Sequence, residues 1–520
     1  MGFNTYNAAS CTINSTWVNQ TMLAFSDLGF QKLGYEYFQL DCGWQGSQRQ
    51  ANGSITYDST AFPTGIKPLS AQAIDLGFRW SMYTDEGVYA CAPSNPPPGS
   101  LGHEREDALQ FAGWNVAYMK VDNCYVTANE DAPKTPMTDF PSRYGNMSNA
   151  LRAVGIEGML VCQWGVPYQN PAGTLEGPSD WTPPLSTSFR VSDDIAAGWS
   201  NVFRIMNEAI SVNLAGHSGP GNFADMDLLE VGNPGMTTTQ QASHFAIWAM
   251  FKSALMVSTN MVQISSTTQS ILQNQGLIAI NQDPLGAPVT LVQRYTNNYD
   301  IFAGPLEGGD VAVLLVDQSG QSRSLTVDFE QVDVASATAT NLWTGQVTNG
   351  ATSMTTSVQA YGSMALRLSQ VKTYSPPAPA LTYIDATTGT IAGGANVQSC
   401  SGCANGQKVG YLGSGGTLTF NNVETSATTQ NVRFDYINCD VSYTNDGENV
   451  RGASISVNGG AGVPVLFPLT GYNWSANVTQ NFLVELSGFQ TGGYKNTIEI
   501  SGLSGSTQYA PDMSRIAVLS

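Results

Sequence analysis

Lys120 and Asp122 stand two residues apart in the run YMKVD, so a strand would send both side chains from one face. An ammonium beside a carboxylate favours the ionised form that a nucleophile needs. Other polar groups close comparable apolar runs: Asp41 after YFQL, Tyr83 and Asp85 in MYTD, Gln163 in LVCQ. Arg190 and Asp194 follow SF, and Asp225 and Asp227 flank a short apolar segment at Met226. A mouth lined by several acids, one Arg and one Lys suits a neutral polyhydroxylated ligand, whose hydroxyls need charged hydrogen-bond partners. Two carboxylates suffice to cleave a glycosidic bond. One meets the positive charge developing at the anomeric carbon, and the other delivers a proton to the leaving oxygen. Asp122 fits the first role; Asp194, crowded by Asp193 and Asp227, fits the second.

Those residues need strands to aim them. The first half of the chain alternates short apolar strands with helix-length segments. Strands are predicted at Met1–Tyr6, Tyr35–Leu40, Arg79–Tyr83, Ala117–Val121, Met159–Gln163, Phe189–Val191, Met226–Leu229 and Ala254–Val257. Helices such as Trp17–Gln31 and Glu104–Ala112 lie between them. Eight β-then-α steps predict an α/β fold, a (β/α)₈ barrel over residues 1–288, with its chemistry at the C-terminal strand ends. No glycine-rich phosphate loop follows the first strand, which argues against a doubly wound sheet. Short alternating strands without helices follow, predicting an antiparallel β domain over 289–370. Residues 371–380 contain SPPAPA, a Pro-rich, semi-rigid linker. Strands and Gly/Asn turns then predict a β-sandwich over 381–520.

Composition narrows the class. With 520 residues, 42% of them hydrophobic and 12% charged, the chain has material for two or three cores. A formal net charge of −19 repels phosphate backbones and anionic membranes, so no nucleic acid and no membrane partner is expected. Six Asn-x-Ser/Thr sequons, at Asn14, Asn19, Asn52, Asn146, Asn473 and Asn477, accompany eight cysteines. Together they point to a secreted, extracellular glycoprotein. Only three histidines occur, and no zinc spacing, so no catalytic metal or cofactor is expected. Cys400-x-x-Cys403 lies in a Gly-rich loop, where an oxidising compartment favours a local disulfide. Cys162 and Cys439 read as buried thiols.

The motifs MGFNTYN, LDCGW at Leu40, YMKVDNC at Tyr118, VCQWG at Val161, FRVSDDI at Phe189 and NFADMDLLEVGN at Asn222 arrive in order. Together they resemble glycoside hydrolase family 27, which holds α-galactosidases and α-N-acetylgalactosaminidases, across Met1 to Leu368. The resemblance implies a retaining, exo-acting α-galactosidase on galactose-containing oligo- or polysaccharides, with Asp122 as nucleophile and Asp194 as acid/base. It further implies that Asp41 and Lys120 hold the sugar's hydroxyls, that Arg190 lies near O2 and O3, and that Cys91 pairs with Cys124. Two departures stand out. Cys42 occupies a place where relatives often carry a second acid, and a Cys11–Cys42 disulfide would stiffen that loop. Gln163 stands where galactosidases often present Glu; its bulk favours galactose over an acetamido sugar. Tyr83 and Trp164 complete the expected binding set, although Trp44 and Trp164 fit core packing as readily as a sugar-facing wall.

Beyond the linker, GGANVQSCSGCANGQKVGYLGSGGTLTFNNV and YAPDMSRIAVL resemble family 35 carbohydrate-binding modules. That resemblance implies a sandwich with a structural calcium, for which Asp385 and Asp512 are the available acids. Duller readings remain for single residues: Asp122 as an ion-pair partner of Lys120, Asp193 as the cap of a helix starting near Ile195, and His217 as a loop residue. A β-L-arabinopyranosidase, a transglycosylase using the same acids, or a galactose-binding protein without turnover are the competing functions.

Overall fold

The computed structural model describes residues 1–92, 95–127, 138–294, 299–376, 380–441, 448–505 and 508–519. It forms two compact units, one of residues 1–205 and 216–288, the other holding Met206–Ala215 and most of the chain beyond Val289.

The first unit is the α/β barrel. Its strands are β1 Gly2–Asn4, β2 Tyr37–Leu40, β3 Arg79–Asp85, β4 Tyr118–Asp122, β5 Gly158–Val161, β6 Ser188–Arg190, β7 Phe223–Asp225 and β8 Met256–Val257. All pair in parallel in the order β8-β1-β2-β3-β4-β5-β6-β7. A bridge between Leu229 and Val257 brings the chain after β7 back to β8. The helices follow local rules. Asn14 caps Ser15–Asp27 by accepting from the Trp17 N–H, and Thr237 with Gln240 forms a reciprocal box at the start of Thr238–Met250.

The seventh strand departs from expectation. It is Phe223–Asp225 rather than Met226–Leu229. The apolar run after it is buried in a loop, because Asp227 takes a left-handed conformation at φ 78° that ends the extended chain. Burial explains those hydrophobic residues, of which Leu229 alone bridges to a strand residue, Val257. No helix begins at Ile195 either. The next helix starts at Trp199, and Asp193 Oδ1 accepts the Asp194 N–H at 2.8 Å instead of capping.

The second unit contains an antiparallel six-stranded sheet built from Thr290–Arg294 to Ser363–Thr373, with a core around Phe329, Leu315 and Leu366. Two further antiparallel sheets between Leu381 and Leu519 form a sandwich packed on Phe420, Phe434, Phe467 and Ile500. Of the predicted linker, residues 377–379 lie outside the described residues. Three disulfides occur: Cys11–Cys42, Cys91–Cys124 and Cys400–Cys403. Cys162 and Cys439 are buried thiols, pushed up in pKa by burial and therefore protonated. No described helix is long and apolar enough to cross a membrane.

Candidate active site

Parallel registry sets the site. Asp85 at the end of β3 lies opposite Asp122 at the end of β4, and Tyr83 lies opposite Lys120. Alternation then sends Lys120 and Asp122 inward together, as their spacing requires.

Lys120 Nζ meets Asp41 Oδ2 at 3.0 Å, both groups being buried. Burial works against its charge, but Asp41 and Asp122 outweigh that and hold its pKa well above the ordinary lysine value. The ammonium also lies 5.4 Å from the Tyr83 ring centroid and 5.6 Å from that of Tyr6. Asp41 is fixed from all sides. Its Oδ2 accepts from Asn4 Nδ2 at 2.7 Å, its Oδ1 from the Cys42 N–H at 2.9 Å, and its own N–H donates to Thr5 Oγ1. The Cys11–Cys42 disulfide anchors that turn against Tyr83 and Tyr6.

Asp122 is buried, and its Oδ1 accepts two hydrogen bonds, from the Asn123 N–H at 3.0 Å and from Trp164 Nε1 at 2.9 Å. Burial raises its pKa to about 6 against the pull of Lys120, with Asp194 and Asp41 adding to the rise. Trp164 reaches it from a left-handed backbone at φ 64°, a conformation that costs a non-glycine residue and persists where surroundings enforce it.

At the end of β6, Arg190 binds three acids: Asp225 Oδ2 through Nε at 2.9 Å, Asp227 Oδ1 through Nη2 at 2.8 Å, and Asp194 Oδ1 through Nη1 at 3.0 Å. Asp194 keeps 44% side-chain exposure, whereas Asp225 and Asp227 are buried. Burial lifts Asp227 to about 7 despite Arg190, and its Oδ2 accepts the Ile195 N–H at 2.7 Å. The guanidinium therefore ties the loop after β6 to the loop after β7, leaving Asp194 as the acid open to solvent.

The structure brings Asp41, Tyr83, Lys120, Asp122, Trp164, Arg190 and Asp194 into one linked cluster. Gln163 is fully buried; its Nε2 donates to the Val166 carbonyl at 2.7 Å, and Oε1 has no partner among the described residues. Trp44 is core: it has no exposure, packs on Trp114 and Phe111, and donates to the Tyr83 carbonyl. His217 sits 3.5 Å from Asp180, away from the cluster's bonds.

Sequence reasoning passed over Asn4, Thr5 and Tyr6, whose roles depend on β1 lying beside β2. Asp85, one of the acids expected at the strand ends, lies opposite Asp122 in the register. Asp85 Oδ2 accepts the Cys124 N–H at 2.9 Å, and burial together with the charge of Asp122 pushes its pKa well up. Asp85, Cys91 and Cys124 are the one trio of metal-capable groups among the described residues, but two of them form a disulfide, so they offer no cation site. Asp512 lies 2.6 Å from the Lys408 ammonium, and a neighbouring cation is the reverse of what an oxygen cage for Ca²⁺ requires.

Residues 5–283 match the family model described as alpha galactosidase A, and residues 296–368 match the alpha galactosidase C-terminal beta sandwich domain. A probable alpha-galactosidase D of Aspergillus niger is 35% identical over 382 residues, 71% of this chain and 56% of the relative. The counterpart in Aspergillus oryzae is 35% identical, with 59% of its length covered, so the chain spans well under two thirds of these two relatives. A probable alpha-galactosidase D of Aspergillus fumigatus is 29% identical across the whole chain and 95% of its own length. Among solved structures, alpha-galactosidase I from Mortierella vinacea superposes with a TM-score of 0.65 at 28% identity, covering 72% of this chain and 98% of that one. A Saccharomyces cerevisiae alpha-galactosidase with raffinose gives 0.63 at 25% identity, covering 72% and 97%. A β-L-arabinopyranosidase from Geobacillus stearothermophilus shares the fold at 0.60 and 16% identity. With its barrel and its following β domain matched by the two alpha galactosidase models, this chain belongs to the α-galactosidase A family, glycoside hydrolase family 27.

Proposed function

We propose that the chain is a retaining, exo-acting α-galactosidase that removes terminal α-D-galactosyl residues from galacto-oligosaccharides or galactosylated polysaccharides. The observation that carries this reading is the pairing of a buried, doubly hydrogen-bonded Asp122 with a solvent-open Asp194 across the Lys120–Asp41 and Arg190 clusters. Both donors to Asp122 meet Oδ1, so Oδ2 is the oxygen presented to the sugar. That oxygen attacks the anomeric carbon while Asp194 gives its proton to the leaving oxygen, and a glycosyl ester forms. Asp194 then takes a proton from water, whose oxygen attacks the same carbon and releases Asp122. Asp41 and Lys120 hold the sugar's hydroxyls, Tyr83 and Trp164 wall the pocket, and Arg190 lies near O2 and O3, whereas Gln163, fully buried, gives no contact to the sugar in this geometry.

The test is hydrolysis of nitrophenyl α-D-galactopyranoside by the intact chain and by Asp122→Asn. Turnover is expected to fall by at least about 10³-fold in the mutant, with α-galactose the first anomer released. No turnover by the intact chain sinks the reading. One feature favours a second reading, a β-L-arabinopyranosidase: Cys42, locked to Cys11, stands where a second hydroxyl-binding acid is common in the family. Faster cleavage of the nitrophenyl β-L-arabinopyranoside would select it.

The same proposal takes the protein as a secreted glycoprotein. Sequons Asn14, Asn52, Asn146 and Asn477 are exposed, and three disulfides suit an oxidising compartment. It also takes the sandwich as a carbohydrate-binding module. A cleft of about 310 Å³ is walled by Trp474, Tyr411 and Tyr509, with Arg451 4.5 Å and Lys408 5.3 Å from the Trp474 ring centroid. Aromatic faces beside fixed charged donors suit sugar rings. Retardation of the chain in a galactomannan gel, abolished by Trp474→Ala with hydrolysis of the small substrate intact, is the expected result.

A further inference from the structure

The reaction assigned above makes no use of the polar groups on the helix Thr238–Met250 and in the turn after it. The last two turns of that helix, SHFAIWAM, are apolar apart from Ser243 and His244, and all eight residues are buried. Trp248 lies one turn beyond His244 on the same helix face, and the two rings meet edge to face with centroids 4.0 Å apart. Burial lowers the His244 pKa to about 3, so the imidazole is neutral. Its Nε2 accepts the Glu230 N–H at 3.1 Å, which leaves the ring proton on Nδ1, where no partner lies among the described residues. An unpaired buried N–H is a cost that an apolar side chain of the same size avoids. Packing alone does not account for a histidine here.

These side chains grip one loop, the stretch from Met226 to Glu230 that leaves β7. The Met226 N–H donates to Ser253 Oγ at 2.9 Å, the Asp227 carbonyl accepts from Trp248 Nε1 at 2.7 Å, and the Glu230 N–H reaches His244. Between them, the Leu229 N–H donates to the Met256 carbonyl at 2.9 Å. The grip centres on Asp227, whose left-handed backbone at φ 78° persists only where its surroundings enforce it. Asp227 in turn acts on Asp194 by two routes. Its Oδ2 accepts the N–H of Ile195, the residue after Asp194. Its Oδ1 pairs with Arg190 Nη2, while Arg190 Nη1 holds Asp194 Oδ1. Asp194 itself is 44% exposed, so packing restrains it little, and a shift of Asp227 moves both of its supports. We propose that Trp248, braced by His244 and seconded by Ser253, is a positioning residue that sets Asp194 through Asp227 and Arg190. Trp248 is fully buried and does this without touching the substrate. The inference rests on the reading of Asp194 as the proton donor.

Leaving-group chemistry isolates that role. A dinitrophenolate departs without a proton, whereas an alkoxide leaves only when an acid supplies one. Trp248→Phe keeps an aromatic ring and removes the N–H. Its kcat/KM for methyl α-D-galactopyranoside is expected to fall about 10- to 100-fold, while that for the dinitrophenyl galactoside changes less than about threefold. Equal losses on the two substrates, or no loss on either, overturn the proposal. Ser253→Ala removes one hydroxyl from the same grip and decides the matter if Trp248→Phe does not fold. It should lower kcat/KM for the methyl galactoside about threefold and spare the dinitrophenyl substrate, and an unchanged ratio between the two overturns the proposal. Asp194→Ala separates this inference from the reading beneath it. No split between the substrates in that variant sinks the acid/base assignment itself. A split there without one in Trp248→Phe or Ser253→Ala sinks the positioning role alone.

Discussion

At the scale of single residues, Trp164 ties an unusual backbone to the proposed chemistry. Its indole N–H donates to Asp122 Oδ1, and a hydrogen bond to an ionised carboxylate contributes about 1.5–3 kcal/mol. Trp164→Phe keeps the ring and removes the donor. We expect kcat/KM to fall about 10- to 100-fold and the acid limb of its pH profile to move upward, because the charged form of Asp122 loses support. In the unaltered chain that limb belongs near pH 6, where burial holds Asp122; activity declines below it as the nucleophile takes a proton. An unshifted limb in Trp164→Phe would reduce the indole to packing. The residue was visible in VCQWG as a candidate wall, but its bond to Asp122 depends on the turn after β5 folding back over β4, which no spacing encodes.

At the scale of elements, loops rather than strands do the fine positioning. Cys91–Cys124 joins the loop after β3 to the loop after β4 across a sequence separation of 33, and the Cys124 N–H donates to buried Asp85. Closing a loop of that length stabilises by about 3–4 kcal/mol on the chain-entropy model. The double change Cys91→Ser with Cys124→Ser should lower the melting midpoint of the barrel by several degrees. It should also cut turnover at temperatures where the barrel stays folded, because the backbone beneath Asp122 loosens. Normal turnover below the melting range would show that strand pairing alone holds the nucleophile. The strands were legible because a barrel strand is a short apolar run whose end residue changes to polar. The seventh failed that test for a physical reason: Met226, Leu228 and Leu229 are as buried as strand residues, but Asp227 turns left-handed among them. Hydrophobicity reports burial, and a buried loop reads like a strand.

At the scale of the whole molecule, buried acids set the response to pH. Asp122 is raised to about 6, and Asp227 and Glu230 to about 7, each chiefly by burial. An unfolded chain releases those protons near pH 4, so between about pH 4 and 7 the folded chain binds more protons than the unfolded one. Stability must then fall as pH rises through that window. A calorimetric midpoint higher at pH 5 than at pH 7.5 is expected, and the net charge of −19 adds self-repulsion in the same direction. Glu230, which accepts from Asn7 and Asn233, contributes on the order of 2–3 kcal/mol to that slope. Glu230→Gln should flatten it; a midpoint that climbs from pH 5 to 7.5 in the unaltered chain would contradict the account.

What the amino-acid order determined by itself was the alternation of strand and helix, the change to all-β structure near Leu291, and the acids at the strand ends. Each follows from local rules of period and polarity that need no partner strand. The partners of those acids came only with the tertiary structure. Asn4 reaches Asp41 because β1 lies beside β2, Arg190 gathers Asp194, Asp225 and Asp227 because two loops converge, and Trp164 meets Asp122 from a neighbouring turn. Contacts between residues distant in sequence depend on register and loop path, and local residue patterns do not specify either.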